Sequence, residues 1–193
     1  MEMALQKLKP LTERSPRLEQ YPTPANIAAD VLWEAYSGGD IEGKDIIDLG
    51  CGNGILAIGA MLMGAHHAVG IDLDPEAVKV AEENARSIGA AIEFFETDVS
   101  TAKGEFDTTL MNPPFGAQTR HADRPFIQKA LELSHRTYSL HNDGTEDFVG
   151  KLVSSLGGSS VPVKRYKFEI PYAFEFHRKA TESVSVVLLR FER

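Results

Sequence analysis

One cysteine, one tryptophan and no long apolar run are what the 193 residues supply most sparingly. A lone Cys51 excludes an internal disulfide and cannot by itself build a cysteine-rich metal site. No uninterrupted apolar stretch approaches the roughly 18 residues that span a bilayer, and residues 1–10 are polar with mixed charge. The sequence therefore predicts no membrane span, no structural zinc and a cytoplasmic protein. Positive charge is also short, 20 Lys and Arg against 28 Asp and Glu, a net charge of −8. Over the whole chain that balance disfavours a partner as acidic as nucleic acid. The two halves differ, however: residues 40–107 carry 14 acidic and 4 basic side chains, whereas residues 108–193 carry 9 acidic and 12 basic, so the second half can meet such a partner.

With 42% hydrophobic residues the chain can bury one substantial core but is too short for two full domains, so 1–193 reads as a single domain. From Asp40 onward, short apolar runs alternate with helical stretches, the pattern of a parallel sheet flanked by helices. Strands are expected at Asp45–Leu49, Ala68–Asp72, Ile92–Glu96, Phe106–Met111 and Tyr138–Leu140. Helices are expected at Ile55–Met63, from Asp74-Pro75 to Gly89, at Pro125–Ser134 and at Thr145–Leu156. Residues 157–160, Gly-Gly-Ser-Ser, read as a flexible break before an antiparallel pair, Val163–Ile170 and Ser183–Phe191, that completes seven strands. The proline-rich residues 1–24 read as an extended arm, followed by a helix at Ala25–Tyr36.

The first strand opens into Asp48-Leu-Gly-Cys-Gly-Asn-Gly54, a loop of small residues leading to a helix N-terminus, where a backbone can approach a ligand closely. Its spacing is Gly50-x-Gly52-x-Gly54, with Ile55 where a dinucleotide fingerprint needs its last glycine, which points away from NAD. Asp72 ends the next strand 18 residues after Gly54, placed to accept hydrogen bonds from the ribose hydroxyls of an adenosine ligand. Asp98-Val99 follows the third strand, where the carboxylate and the Val99 amide suit an adenine edge. Taken singly, Asp48 and Asp98 could be turn or capping residues, which an isolated Asp at a strand end more often is than a ligand contact; three acids at successive strand ends beside one glycine loop favour a ligand. Cys51 is rejected as a nucleophile, since no His lies near it in sequence.

The fourth strand breaks into Asn112-Pro-Pro-Phe115. Two prolines give rigid backbone without amide hydrogens, so the cup is built from acceptors, the Asn112 side-chain oxygen and the Pro113 carbonyl. Such a cup fits the two N–H donors of an exocyclic amine, with Phe115 stacked on the ring. The expected reaction is in-line transfer of a methyl group from a sulfonium donor, S-adenosyl-L-methionine, needing positioning rather than a metal or a strong base. His121, His135, His141 and His177 show no metal-ligand spacing and read as surface or loop residues.

The pairing of Asp48–Gly54 with Asn112–Phe115 resembles amino-methyltransferases acting on adenine, guanine or glutamine. Leu18-Glu-Gln-Tyr-Pro-Thr23, Met111–Gly116, Tyr138-Ser-Leu-His141 and Tyr166–Pro171 narrow the resemblance to the methyltransferase-like protein five family, including its archaeal members, over nearly the whole chain from Leu18. The resemblance implies an α/β fold, the Rossmann-like class I methyltransferase, with a seven-stranded, mostly parallel sheet and a C-terminal antiparallel strand pair. It implies methylation of an adenine N6 in small-subunit rRNA, with Asn112, Pro113, Pro114 and Phe115 at the chemistry. Gln20 and Thr23 then close over the cofactor, Gly50 and Asn53 line its methionine end, Asp72 holds the ribose, and Asp98 with Val99 hold the adenine. Tyr21, Asp48, Cys51, Gly54 and Leu73 complete the expected cofactor set, with residues 1–24 as the closing arm. Asn53 stands where many relatives have Cys, a substitution of similar size.

A small zinc-binding activator, on which the eukaryotic relatives depend, is expected to add a strand at Ile92–Glu96, where Phe94 and Phe95 point to opposite faces. RNA contacts are expected from Arg120, His121, Arg124, Lys164, Arg165, Lys167, Arg178 and Lys179. The rival functions are glutamine methylation of a protein, since an amide nitrogen fits the same cup, and a non-catalytic ribosome-assembly factor that binds cofactor or RNA.

Overall fold

The computed structural model describes residues 1–11, 22–114, 122–171 and 181–193. Seven strands form one sheet in the order β3-β2-β1-β4-β5-β7-β6. They are β1 (Asp45–Leu49), β2 (His67–Asp72), β3 (Glu93–Glu96), β4 (Phe106–Met111), β5 (Ser134–Asn142), β6 (Ser159–Pro171) and β7 (Thr181–Glu192). β1 to β5 are mutually parallel, and β7 runs antiparallel between β5 and β6. The helices are α1 (Glu2–Leu5), α2 (Ala25–Ser37), α3 (Ile55–Leu62), α4 (Pro75–Ser87), α5 (Arg124–Leu133) and α6 (Glu146–Ser155).

Alternation along the central strands splits the core in two. Ile46, Leu110, Tyr138, Leu140 and Leu188 pack with α2, α3 and α4 on one face, while Ile47, Leu49, Met111, Val187 and Leu189 pack with α5 and α6 on the other. A sheet covered on both faces has apolar residues at consecutive positions, which is why β1 reads as Ile-Ile rather than as an alternating pattern. α4 starts where the sequence places it, with the Asp74 side chain accepting from the Glu76 amide and Pro75 in the first turn. Among the described residues no helix is long and apolar enough to cross a membrane, and no cluster of metal-ligating side chains occurs.

The fold corrects four of the expectations. The fifth strand runs over Ser134–Asn142, not only Tyr138–Leu140. Its first residue, Ser134, is polar but buried and internally bonded: its hydroxyl lies 2.8 Å from that of Thr109 and donates to the Ala130 carbonyl at 3.1 Å. A hydrophobicity pattern cannot register a strand of that kind. Ser159 and Ser160 already pair with Glu192 and Phe191 in the antiparallel ladder, so the break after α6 is shorter than residues 157–160. The start of the chain is not simply extended, for α1 lies within the expected arm and Leu5 and Leu8 are buried against the core. His141 is buried in β5 rather than lying on a loop or the surface.

Gly70 in β2 shows how tightly the sheet supports the loop above it. A β-carbon there would lie 2.5 Å from the Phe94 ring and 3.2 Å from the Cys51 β-carbon. Gly70→Ala is expected to cost about 1–3 kcal/mol of stability through overpacking against a buried ring, read as a lower urea midpoint at unchanged slope.

Candidate functional site

Strand order reverses between β1 and β4, which are neighbours in register, Leu49 opposite Met111. Ligands of open parallel sheets sit in the crevice beyond the carboxyl ends at such a reversal. The two motifs singled out in the sequence, Asp48–Gly54 and Asn112–Pro114, leave the sheet there side by side.

The loop after β1 is held open by three left-handed glycines, Gly50, Gly52 and Gly54, with φ of 70°, 54° and 81°. A β-carbon at Gly50 would meet the Phe126 ring of α5 at 3.0 Å. Nothing in the sequence signals this contact, because Phe126 is distant in the chain and ordinary on an amphipathic helix. The Cys51 amide donates to the Ile71 carbonyl at 2.8 Å, and the Gly52 amide to Asp72 Oδ2 at 2.9 Å. Asp72 also accepts from the Asp74 amide at 3.0 Å, and burial raises its pKa. Each carboxylate oxygen has a second lone pair, so these bonds orient Asp72 at the tip of β2 without exhausting it.

Asp48 is fully buried. Its Oδ2 accepts from the Ala57 amide at 3.1 Å, while Oδ1 has no hydrogen-bond partner among the described residues. Burial is the main cause that pushes its pKa up to about 7; the Ala57 amide opposes the shift and neighbouring Asp72 adds to it. Burial, then Asp48 and Asp72, push the Cys51 thiol well above its ordinary value, which makes it inert as a nucleophile.

Asp98 and Val99 lie at the end of β3, where Val99–Thr101 form a single 3-10 turn. Asp98 Oδ1 accepts from the Ser100 hydroxyl at 2.7 Å and the Ser100 amide at 2.8 Å, and these bonds hold the carboxyl below its usual range. Its capping role, one of the two readings open in the sequence, is thus present in the fold. Leu73, 52% exposed, stands beside Asp72 as an apolar surface at the same edge.

A contact absent from the sequence reading ties the N-terminal segment to this loop. Asn84 of α4 is buried; it accepts from the Lys9 amide at 2.8 Å and donates to the Lys9 and Asn53 carbonyls at 3.1 and 3.0 Å. Asn53 in turn donates its side-chain amide to the Lys9 carbonyl at 3.1 Å. A polar residue on an otherwise alanine-lined helix face is the one signal the sequence offers for it. Asn84→Ala strands the Lys9 amide and the Asn53 carbonyl, an expected loss of about 2 kcal/mol, seen as a melting temperature lower by about 4–8 °C.

At the end of β4, Asn112 donates its side-chain amide to the Thr23 hydroxyl at 2.9 Å, with Pro113 buried and Pro114 half-buried behind it. This bond fixes which end of the amide faces Thr23 and joins the segment preceding α2 to the acceptor cup. Phe115, Gln20 and Tyr21 lie outside the described residues, as do Arg120, His121, His177, Arg178 and Lys179. Behind the cup, His141 Nε2 lies 2.7 Å from the Ser139 hydroxyl and its Nδ1 is 3.6 Å from Asp123 Oδ2, so β5 holds the start of α5.

Of the basic residues expected to meet RNA, Lys164 pairs with Asp30 and Glu34, and Arg165 with Asp143 and Glu146. These four ion pairs tie β6 to α2, to the turn after β5 and to α6.

A methyltransferase small domain model matches residues 26–149. The chain is 32% identical over 199 residues to the rRNA N(6)-adenosine-methyltransferase METTL5 of Danio rerio, covering 99% of this chain and 96% of that protein. It is 39% identical over 205 residues to protein MJ0284 of Methanocaldococcus jannaschii, covering 100% and 93%. The crystal structure of a putative RNA methyltransferase, PH1948 from Pyrococcus horikoshii, superposes with a TM-score of 0.91 at 42% identity, covering 100% of this chain and 94% of that one. With the glycine loop, the acid-tipped strands and the Asn-Pro-Pro cup in their places, the chain belongs to the methyltransferase small domain family and, within it, to the METTL5 family.

Proposed function

We propose that the protein is an S-adenosyl-L-methionine-dependent methyltransferase that methylates the exocyclic N6 of an adenine in small-subunit rRNA. The observation that carries the reading is the juxtaposition of Asn112–Pro114 with the loop Gly50–Gly54 at the strand-order reversal, in a chain similar over its full length to rRNA adenosine methyltransferases. The residues fit the cofactor: glycines clear the floor, Asp72 is oriented at the β2 tip, and Asp48 keeps a buried oxygen without a partner beneath the loop. Asp72, Leu73, Asp98 and Val99 hold its nucleoside end, while Asp48, Gly50, Cys51, Asn53 and Gly54 hold the methionine end. Residues 1–24, with Gln20, Tyr21 and Thr23, close over both. When bound, the cofactor supplies an electrophilic methyl group.

The chain's own work is to position the acceptor. The Asn112 oxygen and the Pro113 carbonyl accept both N–H groups of the amine, drawing its nitrogen out of conjugation with the ring, and Phe115 stacks on the base. Methylation makes the nitrogen acidic, so its proton is lost to water without a dedicated base. β3 is the sheet edge that a small zinc-binding activator extends by strand addition; Phe94 is buried there and Phe95 is 48% exposed. An isolated chain that is fully active and monodisperse overturns the activator.

The deciding measurement is mass spectrometry of rRNA nucleosides from cells lacking the protein, where a methyladenosine should disappear from small-subunit rRNA. Label from methyl-labelled cofactor should follow ribosomal RNA through protease and be released by nuclease. Label that follows protein instead makes the acceptor a glutamine amide.

A further inference from the structure

Four of the nine Lys and Arg side chains described in the C-terminal half are engaged by acids: Lys129 by Glu132, Arg136 by Asp40 and Glu192, and Lys164 and Arg165 as above. Arg124 is not among them, and it is set apart by its aromatic neighbour and its place in the fold. It is exposed, no carboxylate lies within ion-pair distance of it among the described residues, and its guanidinium carbon is 5.4 Å from the centroid of the Phe148 ring. Arg124 is also the first residue of α5, where the helix dipole disfavours a cation. An exposed cation–π contact returns only about 0.5–1 kcal/mol, so fold stability gives little reason for a cation here.

Its position does give a reason. Asp123 on one side of Arg124 approaches His141 near the carboxyl end of β5, and Phe126 on the other lies against Gly50 of the cofactor loop. Phe148, 38% exposed, sits in the first turn of α6, which begins just beyond the same end of β5. The pair therefore stands on the rim of the acceptor side of the cleft.

We propose that Arg124 and Phe148 form a stacking ledge for the unpaired base adjacent to the target adenine in the RNA strand. This rests on the RNA-methylating reading above. An adenine N6 engaged in base pairing cannot enter an acceptor cup, so the target must be unstacked, and its neighbour loses a stacking partner at the same time. A guanidinium plane backed by an aromatic ring replaces that partner for any base, while the guanidinium N–H groups reach the intervening phosphate. Glu146 and Asp147 crowd the first turn of α6 with negative charge, Glu146 being held by Arg165, so the phosphate contact falls to Arg124.

The test uses the full chain with Arg124→Ala, Arg124→Lys and Phe148→Leu. The readouts are affinity for a short unstructured ribo-oligonucleotide across a salt series, cofactor affinity by calorimetry, and label transfer to small-subunit rRNA. Arg124→Ala should weaken oligonucleotide binding about tenfold and lower the slope of log affinity against log salt by about one. Arg124→Lys and Phe148→Leu should weaken binding about as much while keeping the slope, because each loses the stack but not the charge. Cofactor affinity and melting temperature should stay at the parent's values in all three. If Arg124→Lys binds like the parent, the contact is simple charge and the ledge is wrong; parental binding by all three variants overturns it as well. A parent protein that holds cofactor but transfers no label to RNA sinks the adenine reading instead, and the oligonucleotide affinities still decide the ledge.

Discussion

Asn112→Ala should lower methyl transfer by about 10²–10³-fold or more while cofactor affinity stays near that of the unaltered protein. The magnitude follows from what a single preorganised polar contact at a reacting centre is worth when it acts only as charge develops. Alanine leaves the prolines in place, so the strand still ends where it does, but the acceptor for one amine N–H is gone and the nitrogen stays conjugated with its ring. Asn112 also donates to Thr23, so a purely structural loss has to be separated from a chemical one. Asn112→Asp keeps an acceptor oxygen and sacrifices the donor to Thr23; it should retain far more activity than alanine. Thr23→Val, which removes only the hydroxyl, should raise the Michaelis constant for the RNA or the cofactor more than it lowers turnover. Turnover by Asn112→Ala equal to that of the parent would reject the cup as the site of chemistry.

How far the sequence carries toward this site depends on the kind of interaction. β1 at Asp45–Leu49 and β4 at Phe106–Met111 are legible at their observed bounds, because each mixes apolar and β-branched residues over a short stretch closed by turn residues. The glycine loop is legible for a local reason too: three glycines alternating with small residues have few uses besides left-handed backbone. What escapes is non-local or polar. The Asn84 bridge joins residues 75 apart, the Phe126 contact with Gly50 crosses from one strand-helix unit to another, and the start of β5 buries a hydroxyl that another hydroxyl satisfies. None leaves a period in the chain. His141 is misplaced at the surface for the same reason, since a histidine looks equally suited to solvent until the Ser139 hydroxyl that pairs with it inside the sheet is seen.

The buried carboxyl of Asp48 predicts a pH dependence whose sign can be worked out. In the unfolded chain it titrates at its ordinary value of 3.8, and in the folded protein at about 7. Between those values the folded state binds more protons than the unfolded one, so this group's contribution to stability is full below the unfolded value and is lost as pH rises toward the folded one. The gap corresponds to something on the order of 4 kcal/mol, set by desolvation of a charge whose Oδ1 has no partner among the described residues. Asp48→Asn removes the titration and keeps the acceptor for the Ala57 amide. The variant should therefore unfold at a higher temperature than the parent at about pH 8, and the difference should shrink steadily on descending to about pH 4. Equal melting temperatures on the alkaline side, or a difference that grows toward acid, would contradict the assignment. A residue that costs stability where the protein is folded and ionised has to be retained for another reason. An ionised Asp48 beside Asp72 makes the floor of the loop attractive to a cationic ligand, so the stabilised Asp48→Asn variant should bind S-adenosyl-L-methionine more weakly than the parent, and most so above about pH 7, where only the parent carries the second charge.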